Sequence, residues 1–196
     1  MRTIDEIEAR VNFFVRTNVI SKVGAFLASV FPKLSPNALT LLGIVLAFLA
    51  SLFIVWQGLV AGAFAMLLSS LPDAFDGEIA RARNRSTSFG AFLDDIADRF
   101  GEIFYFSAIY FLDNSTAVFF AGISSILVSY FNATAKANGF KLSSGKVTGR
   151  PGRTVLLFLL MLLSYWFPIS KTLWLIVLLN IFTLFKRGLE VKKQSG

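Results

Sequence analysis

The sequence predicts an all-α integral membrane protein of six transmembrane helices, preceded by an amphipathic helix in the membrane interface. Three observations predict it. Of 196 residues, 55% are hydrophobic and 16% charged, with a mean hydropathy of +0.67, whereas a globular chain is about 25% charged. Apolar stretches recur at 38–56, 59–72, 100–112, 115–131, 154–167 and 172–185. The 19 Lys and Arg residues are also sorted unevenly between those stretches.

Arg2, Arg10, Arg16, Lys22 and Lys33 precede the first stretch, and Arg81, Arg83 and Arg85 follow the second. Lys136, Lys141, Lys146, Arg150 and Arg153 follow the fourth, while Lys186, Arg187, Lys192 and Lys193 close the chain. The intervening connections carry Lys171 alone, so alternate loops hold 17 basic residues against one. That is the positive-inside pattern of a multi-pass cell-membrane protein with both termini cytoplasmic. The net charge of +7 therefore reports orientation and contact with membrane lipids; no nucleic-acid partner is expected.

The two last stretches, each about 14 residues or ~21 Å of helix, are short for a ~30 Å hydrocarbon core. One continuous helix would contain Pro168 and place basic clusters on opposite sides, so a hairpin is expected. Ahead of the spans, Ile4, Ile7, Val11, Phe14 and Val15 recur at helical spacing between Asp5, Glu8, Arg10 and Asn12. This predicts an amphipathic helix, either lying in the interface or packed on the other helices. The acids Asp5, Glu6 and Glu8 ahead of any apolar core argue against a cleavable signal peptide. Ser35-Pro36-Asn37 breaks the chain and starts the first span, with Ser35 or Asn37 as N-cap. The expected organisation is an interfacial segment over 1–34, one membrane domain over 35–190 and a cytoplasmic tail over 191–196.

The chain has no Cys and no His, which excludes disulfides, thiolate metal sites, His triads and haem ligation. Any metal must be held by oxygen, favouring Mg²⁺, Mn²⁺ or Ca²⁺. Seven of the 12 acidic residues fall within 73–102: Asp73, Asp76, Glu78, Asp94, Asp95, Asp98 and Glu102. A lone carboxylate at the bilayer centre costs about 2.5–3.5 kcal/mol. Four unpaired would approach ~10 kcal/mol, the stability of a whole domain. They must sit near the interface, be neutralised, or both.

At about 100° per residue, Asp73, Asp76, Gly77 and Ala80 form one helical stripe, with Arg81 at its flank and Glu78 pointing away. Gly90, Asp94 and Asp98 step by four along one face of the next helix, and Asp95 is turned ~100° off it. A short polar linker makes the two helices antiparallel neighbours, so the stripes can face each other. Two facing pairs of carboxylates suit one or two hard divalent cations, and the small residues let a bulky ligand or the opposing backbone approach.

At these residues the chain resembles the CDP-alcohol phosphatidyltransferase family. Asp73-x2-Asp76-Gly77-x2-Ala80-Arg81, then eight residues, then Gly90-x3-Asp94-x3-Asp98 matches every fixed position of its signature. The six-span topology and Pro36-Asn37-Ala38-Leu39-Thr40 are similar too. The resemblance implies a transferase that moves a phosphatidyl-type group from a CDP-linked lipid donor to the hydroxyl of a polar alcohol acceptor, releasing CMP. It implies two ions, Mg²⁺ or Mn²⁺, held by Asp73, Asp76, Asp94 and Asp98, with Asp98 also the base that takes the acceptor's proton. It implies room for the cytidine at Gly77, Ala80 and Gly90, with Arg81 beside it, and a homodimer. Pro72, just before Asp73, is expected to kink the helix, either aiming Asp73 into the site or serving packing alone.

Gly149-Arg150-Pro151-Gly152-Arg153 opens the fifth span, and a helix N-terminus flanked by arginines can take an anion. Lys136, Lys146, Arg150 and Arg153 are the candidates for an acceptor-phosphate pocket; orientation and anionic-lipid contact explain the same residues without one. Arg150-x-x-Arg153 and Ser129-Tyr130 resemble the branch of the family that uses inositol phosphate, although Asn132 and Thr134 stand where that branch carries basic residues. Glycerol phosphate, serine or a CDP-inositol-type substrate remain open. A small cation or proton transporter is the reading from another class, but the last two spans offer almost only Ser164, Thr172, Asn180 and Thr183 as a path. A scaffold around a structural metal would not need the small residues. Trp56, Trp166 and Trp174 fit an interfacial belt on the outer side.

Overall fold

The structure, a computed structural model, describes residues 35–73, 87–142 and 149–195. The expected amphipathic helix within 1–34 lies outside these residues, as do Asp76, Gly77, Ala80, Arg81 and Lys146. Every regular element described is helical: α1 (Pro36–Gln57), α2 (Leu59–Ser69), α3 (Ser88–Asp113), α4 (Thr116–Ala137), α5 (Arg150–Leu163), α6 (Ile169–Thr172) and α7 (Trp174–Ser195). Among the described residues, three stretches are long and apolar enough to cross a membrane: Pro36–Gln57, Thr116–Ala137 and Ile169–Ser195.

The helices outrun the apolar stretches because a helix continues wherever its polar residues find partners or water. α3 starts at Ser88, twelve residues before the third apolar stretch, and so carries the whole Asp94–Asp98 face. α4 runs on to Ala137 and thereby includes Asn132 and Lys136. α5 begins at Arg150, with Pro151 in its first turn where no N–H is missed, and ends at Leu163. Residues 164–168 then separate it from α6 and α7, so the expected break at Pro168 is present. α7 continues through Ser195, and its Gln194 exchanges hydrogen bonds with the backbone of Lys141 at 3.0 and 2.7 Å.

The described residues form two compact units, one from 35–46, 69–73 and 87–98, the other from 47–68, 99–142 and 149–195. In the first, Ser35 Oγ accepts the Ala38 N–H at 3.1 Å, capping α1 with Pro36 as its first residue. Thr87 Oγ1 accepts the Gly90 N–H at 3.0 Å and caps α3 in the same way. The helical pattern of α2 is interrupted at Ser70, and a short helical segment over 71–73 delivers Asp73. Pro72 is buried there, facing Gly43, where a Cβ would stand 3.8 Å from the proline's. Proline has no N–H to offer the helical ladder, and its ring packs on this face.

In the second unit the interior is built from small or medium side chains, among them Ala47, Ala50, Ala63, Ala121, Ile54, Met66, Ile109 and Met161. Many of the large ones, such as Trp56, Phe111 and Phe185, point outward, while Tyr105 and Phe106 are buried. Lipid tails are as apolar as these side chains, so close packing of small faces, more than escape from water, joins the helices. Gly58, at φ 85°, turns the chain between α1 and α2. Gly62 then meets Ile54 so closely that a Cβ would lie 2.9 Å from the isoleucine Cα. Gly122 of α4 similarly admits Phe106 of α3, whose Cβ would be 3.2 Å away. Asn180 of α7, buried, donates to Ser124 Oγ and Ser125 Oγ of α4, both at 3.0 Å.

Candidate active site

Asp73, Asp94 and Asp98 come together in the first unit: one carboxylate oxygen from each lies within 4.8 Å of the others. Asp98 is buried and the other two are partly exposed. Asp95 is exposed, as its position a third of a turn off the face requires. Gly90 lies one turn before Asp94, and a Cβ there would stand 3.2 Å from Asn37 Oδ1, so the glycine lets the start of α1 approach α3.

The donor set fits a hard divalent cation. Oxygens that share one Mg²⁺ at about 2.1 Å lie no more than about 4.2 Å apart, and a larger ion allows about 5 Å. Three oxygens around one Mg²⁺ stand about 3–4.2 Å apart, so closure from at most 4.8 Å to these separations brings the three carboxylates onto one ion. Such an ion would also relieve three like charges gathered at one place, one of them away from water. Asp73, Asp94 and Asp98 are thus the described residues able to hold a metal.

A second polar cluster lies in the other unit. Arg153 is buried and donates through Nη2 to Glu102 Oε1 at 2.6 Å and to Ser129 Oγ at 2.9 Å. Glu102 Oε2 faces Arg99 Nη1 at 3.5 Å. Arg187 of α7 is buried as well and donates through Nη1 to Asn132 Oδ1 of α4. Its guanidinium feels the like charge of Arg153 and the opposite charge of Glu190. The structure therefore draws two guanidinium groups from α5 and α7 into one neighbourhood, furnished by three polar residues of α3 and α4.

Of the basic residues singled out in sequence, Arg153 joins this cluster, Arg150 sits partly exposed at the start of α5, and Lys136 is exposed in the last turn of α4. Glu102, Asn132 and Arg187 were not among the candidates. The signal for Arg187 was present: Asn180, Thr183 and Arg187 recur at helical spacing, and all three are buried.

Comparison with known proteins shows the family. Residues 33–185 match the family model described as CDP-alcohol phosphatidyltransferase. An archaetidylinositol phosphate synthase of Pyrococcus horikoshii is 28% identical over 89% of this chain and 92% of its own length. A phosphatidylinositol phosphate synthase of Mycolicibacterium smegmatis is 30% identical over 83% of this chain and 80% of its own. Among solved structures, the phosphatidylinositol phosphate synthase of Mycobacterium tuberculosis with CDP-DAG bound superposes with a TM-score of 0.76 at 26% identity, over 88% of this chain and 93% of that one. The same protein in complex with manganese and citrate gives 0.77, again at 26% identity, over 88% of each chain. With the family model covering most of its length and its helices following theirs, the chain belongs to the CDP-alcohol phosphatidyltransferases, membrane enzymes of phospholipid synthesis.

Proposed function

We propose that this enzyme transfers a phosphatidyl-type group from a CDP-linked lipid to a hydroxyl of inositol phosphate, releasing CMP. The observation that carries the chemistry is the convergence of Asp73, Asp94 and Asp98 oxygens within 4.8 Å. Asp76, by its place in the motif, completes the set. Two Mg²⁺ or Mn²⁺ ions bound by these aspartates would neutralise the donor's pyrophosphate and stabilise charge on the attacking and leaving oxygens. The chain's own groups do the rest. Gly77, Ala80 and Gly90 leave space for the cytidine, with Arg81 beside it. Asp98 takes the acceptor's hydroxyl proton on a carboxylate oxygen while that hydroxyl oxygen bonds to the lipid-side phosphorus and the bond to CMP breaks. A carboxylate beside a cation is a weak base, so Asp98 acts by position more than by basicity.

Arg153 and Arg187 give the acceptor reading its support. A buried pair of guanidinium groups suits the planar, bidentate recognition of a phosphate. The relatives named for inositol phosphate products point the same way. Lys136, Lys146 and Arg150 stand at the cytoplasmic approach in this reading. Six spans, both termini and the site on the cytoplasmic side, an interfacial helix within 1–34, a membrane domain over 35–190, a tail over 191–196 and a homodimer complete the proposal. The distribution of 17 basic residues against one supports the orientation.

The test is incubation of the purified protein with CDP-diacylglycerol or CDP-archaeol and a panel of inositol phosphate, glycerol phosphate, serine and inositol, following CMP. CMP release that depends on inositol phosphate is expected. Release with serine or glycerol phosphate instead would reassign the acceptor, and no release with any alcohol would reject the transferase reading.

A further inference from the structure

The two buried arginines are held by chemically different partners. Arg153 meets a carboxylate, Glu102, at 2.6 Å. Arg187 donates to a carboxamide, Asn132, with the carboxylate of Glu190 as an opposite charge nearby. A carboxylate orients a guanidinium and cancels its charge, whereas a carboxamide oxygen orients it and leaves the charge in place. Asn132 lies seven residues after Ser125 on α4, and Arg187 lies seven after Asn180 on α7. The Asn180–Ser125 bond at 3.0 Å thus repeats two turns on as Arg187–Asn132. The first contact fixes the register of α4 against α7, and the second uses that register to aim a cation.

From this geometry we propose that Asn132 is a positioning residue for acceptor recognition: it holds the Arg187 guanidinium in place for an anionic group of the acceptor without neutralising it. The inference rests on the phosphorylated-acceptor reading above. An aspartate at 132 keeps the accepting oxygen and the size of the side chain but adds a negative charge beside Arg187. Such a charge at hydrogen-bond range, after screening, is enough for about tenfold or more in affinity. An alanine removes the hold while leaving the charge.

The experiment measures CMP release from CDP-diacylglycerol and inositol phosphate by the native protein and by Asn132→Asp and Asn132→Ala, with inorganic phosphate as competing anion. Asn132→Asp is expected to raise the acceptor KM and the inhibition constant of phosphate together, by about tenfold or more, with the donor KM within about twofold. Asn132→Ala should raise the acceptor KM less, and kcat should change less than KM in both. A merely structural bond would be preserved by aspartate. An acceptor KM and phosphate inhibition in Asn132→Asp within twofold of the native values would overturn the proposal, as would a parallel rise in the donor KM. Native protein that turns over an unphosphorylated alcohol but not inositol phosphate would instead sink the acceptor reading, and this inference with it.

Discussion

Arg153 Nη2 and Glu102 Oε1 lie 2.6 Å apart with both side chains buried, joining the start of α5 to the middle of α3. Glu102 follows Asp98 by four residues, one turn along α3. One helix therefore contributes metal-ligand candidates and, a turn later, the carboxylate that pairs with Arg153. The pair has a structural and a functional side, and these separate by mutation. Removing one partner of a buried pair strands the other charge and costs about 3–5 kcal/mol, whereas replacing both by apolar residues recovers much of it. Glu102→Ala should markedly lower the thermal midpoint in detergent, and Glu102→Met with Arg153→Met should restore most of it while leaving the enzyme inactive. Equal stability of native and Glu102→Ala protein would show that the pair contributes little.

Asp98 and Asp95 sit on the same helix with opposite exposure, and they make a paired test. Asp98→Asn should abolish CMP release, by a thousandfold or more on the usual scale of a lost base and ligand, while donor binding is largely retained. Asp95→Asn should stay within about twofold of native activity, because an exposed side chain off the face reaches neither donor nor metal. Steady-state CMP release with separate measurement of donor binding checks both. Retained turnover in Asp98→Asn would exclude Asp98 as base.

Chelation should silence the enzyme. With no Cys or His, the site holds hard ions through oxygen only. EDTA should stop CMP release, and Mg²⁺ or Mn²⁺ in excess should restore it. Turnover that persists after chelation and dialysis would remove the ions from the reaction.

Gly62 tests the packing that supports the second unit. A Cβ at this position would collide with Ile54 Cγ1 and lie 2.9 Å from its Cα, and the backbone atom cannot be moved by a rotamer change. Gly62→Ala should lower the thermal midpoint clearly, with a cost of about 1–3 kcal/mol as for other overpacked cores. Gly58→Ala should be unfavourable for another reason, since its φ of 85° lies in the left-handed region. An unchanged midpoint in Gly62→Ala would mean that α1 and α2 separate without cost.

Much of this arrangement was legible in the sequence where it depends on periodicity within one helix. The step of four from Gly90 to Asp94 to Asp98 gave their shared face and the exclusion of Asp95. Ser35 ahead of Pro36 gave the start of α1, and Pro168 gave the break between α5 and α6. Helix ends were less legible, because apolar stretches mark where lipid begins and not where hydrogen bonding stops. α3 therefore begins twelve residues earlier than its apolar stretch, and α4 reaches past its own to Asn132. The pairing of α3 with α5 and of α4 with α7 was not legible. Glu102 and Arg153 are 51 residues apart, and Arg187 and Asn132 are 55 apart. In sequence Arg187 is indistinguishable by type from the other basic residues at the end of the chain; only its spacing from Asn180 and Thr183 hints at an inward face.

Binding of Mn²⁺ to the detergent-solubilised protein, followed by electron paramagnetic resonance as the free-ion signal is lost, tests the shared carboxylate site most directly. Native protein is expected to take up the ion, and Asp94→Asn with Asp98→Asn, still folded by thermal melting, to lose at least tenfold in affinity. The same Mn²⁺ affinity in the two proteins would contradict a metal site built from Asp73, Asp94 and Asp98.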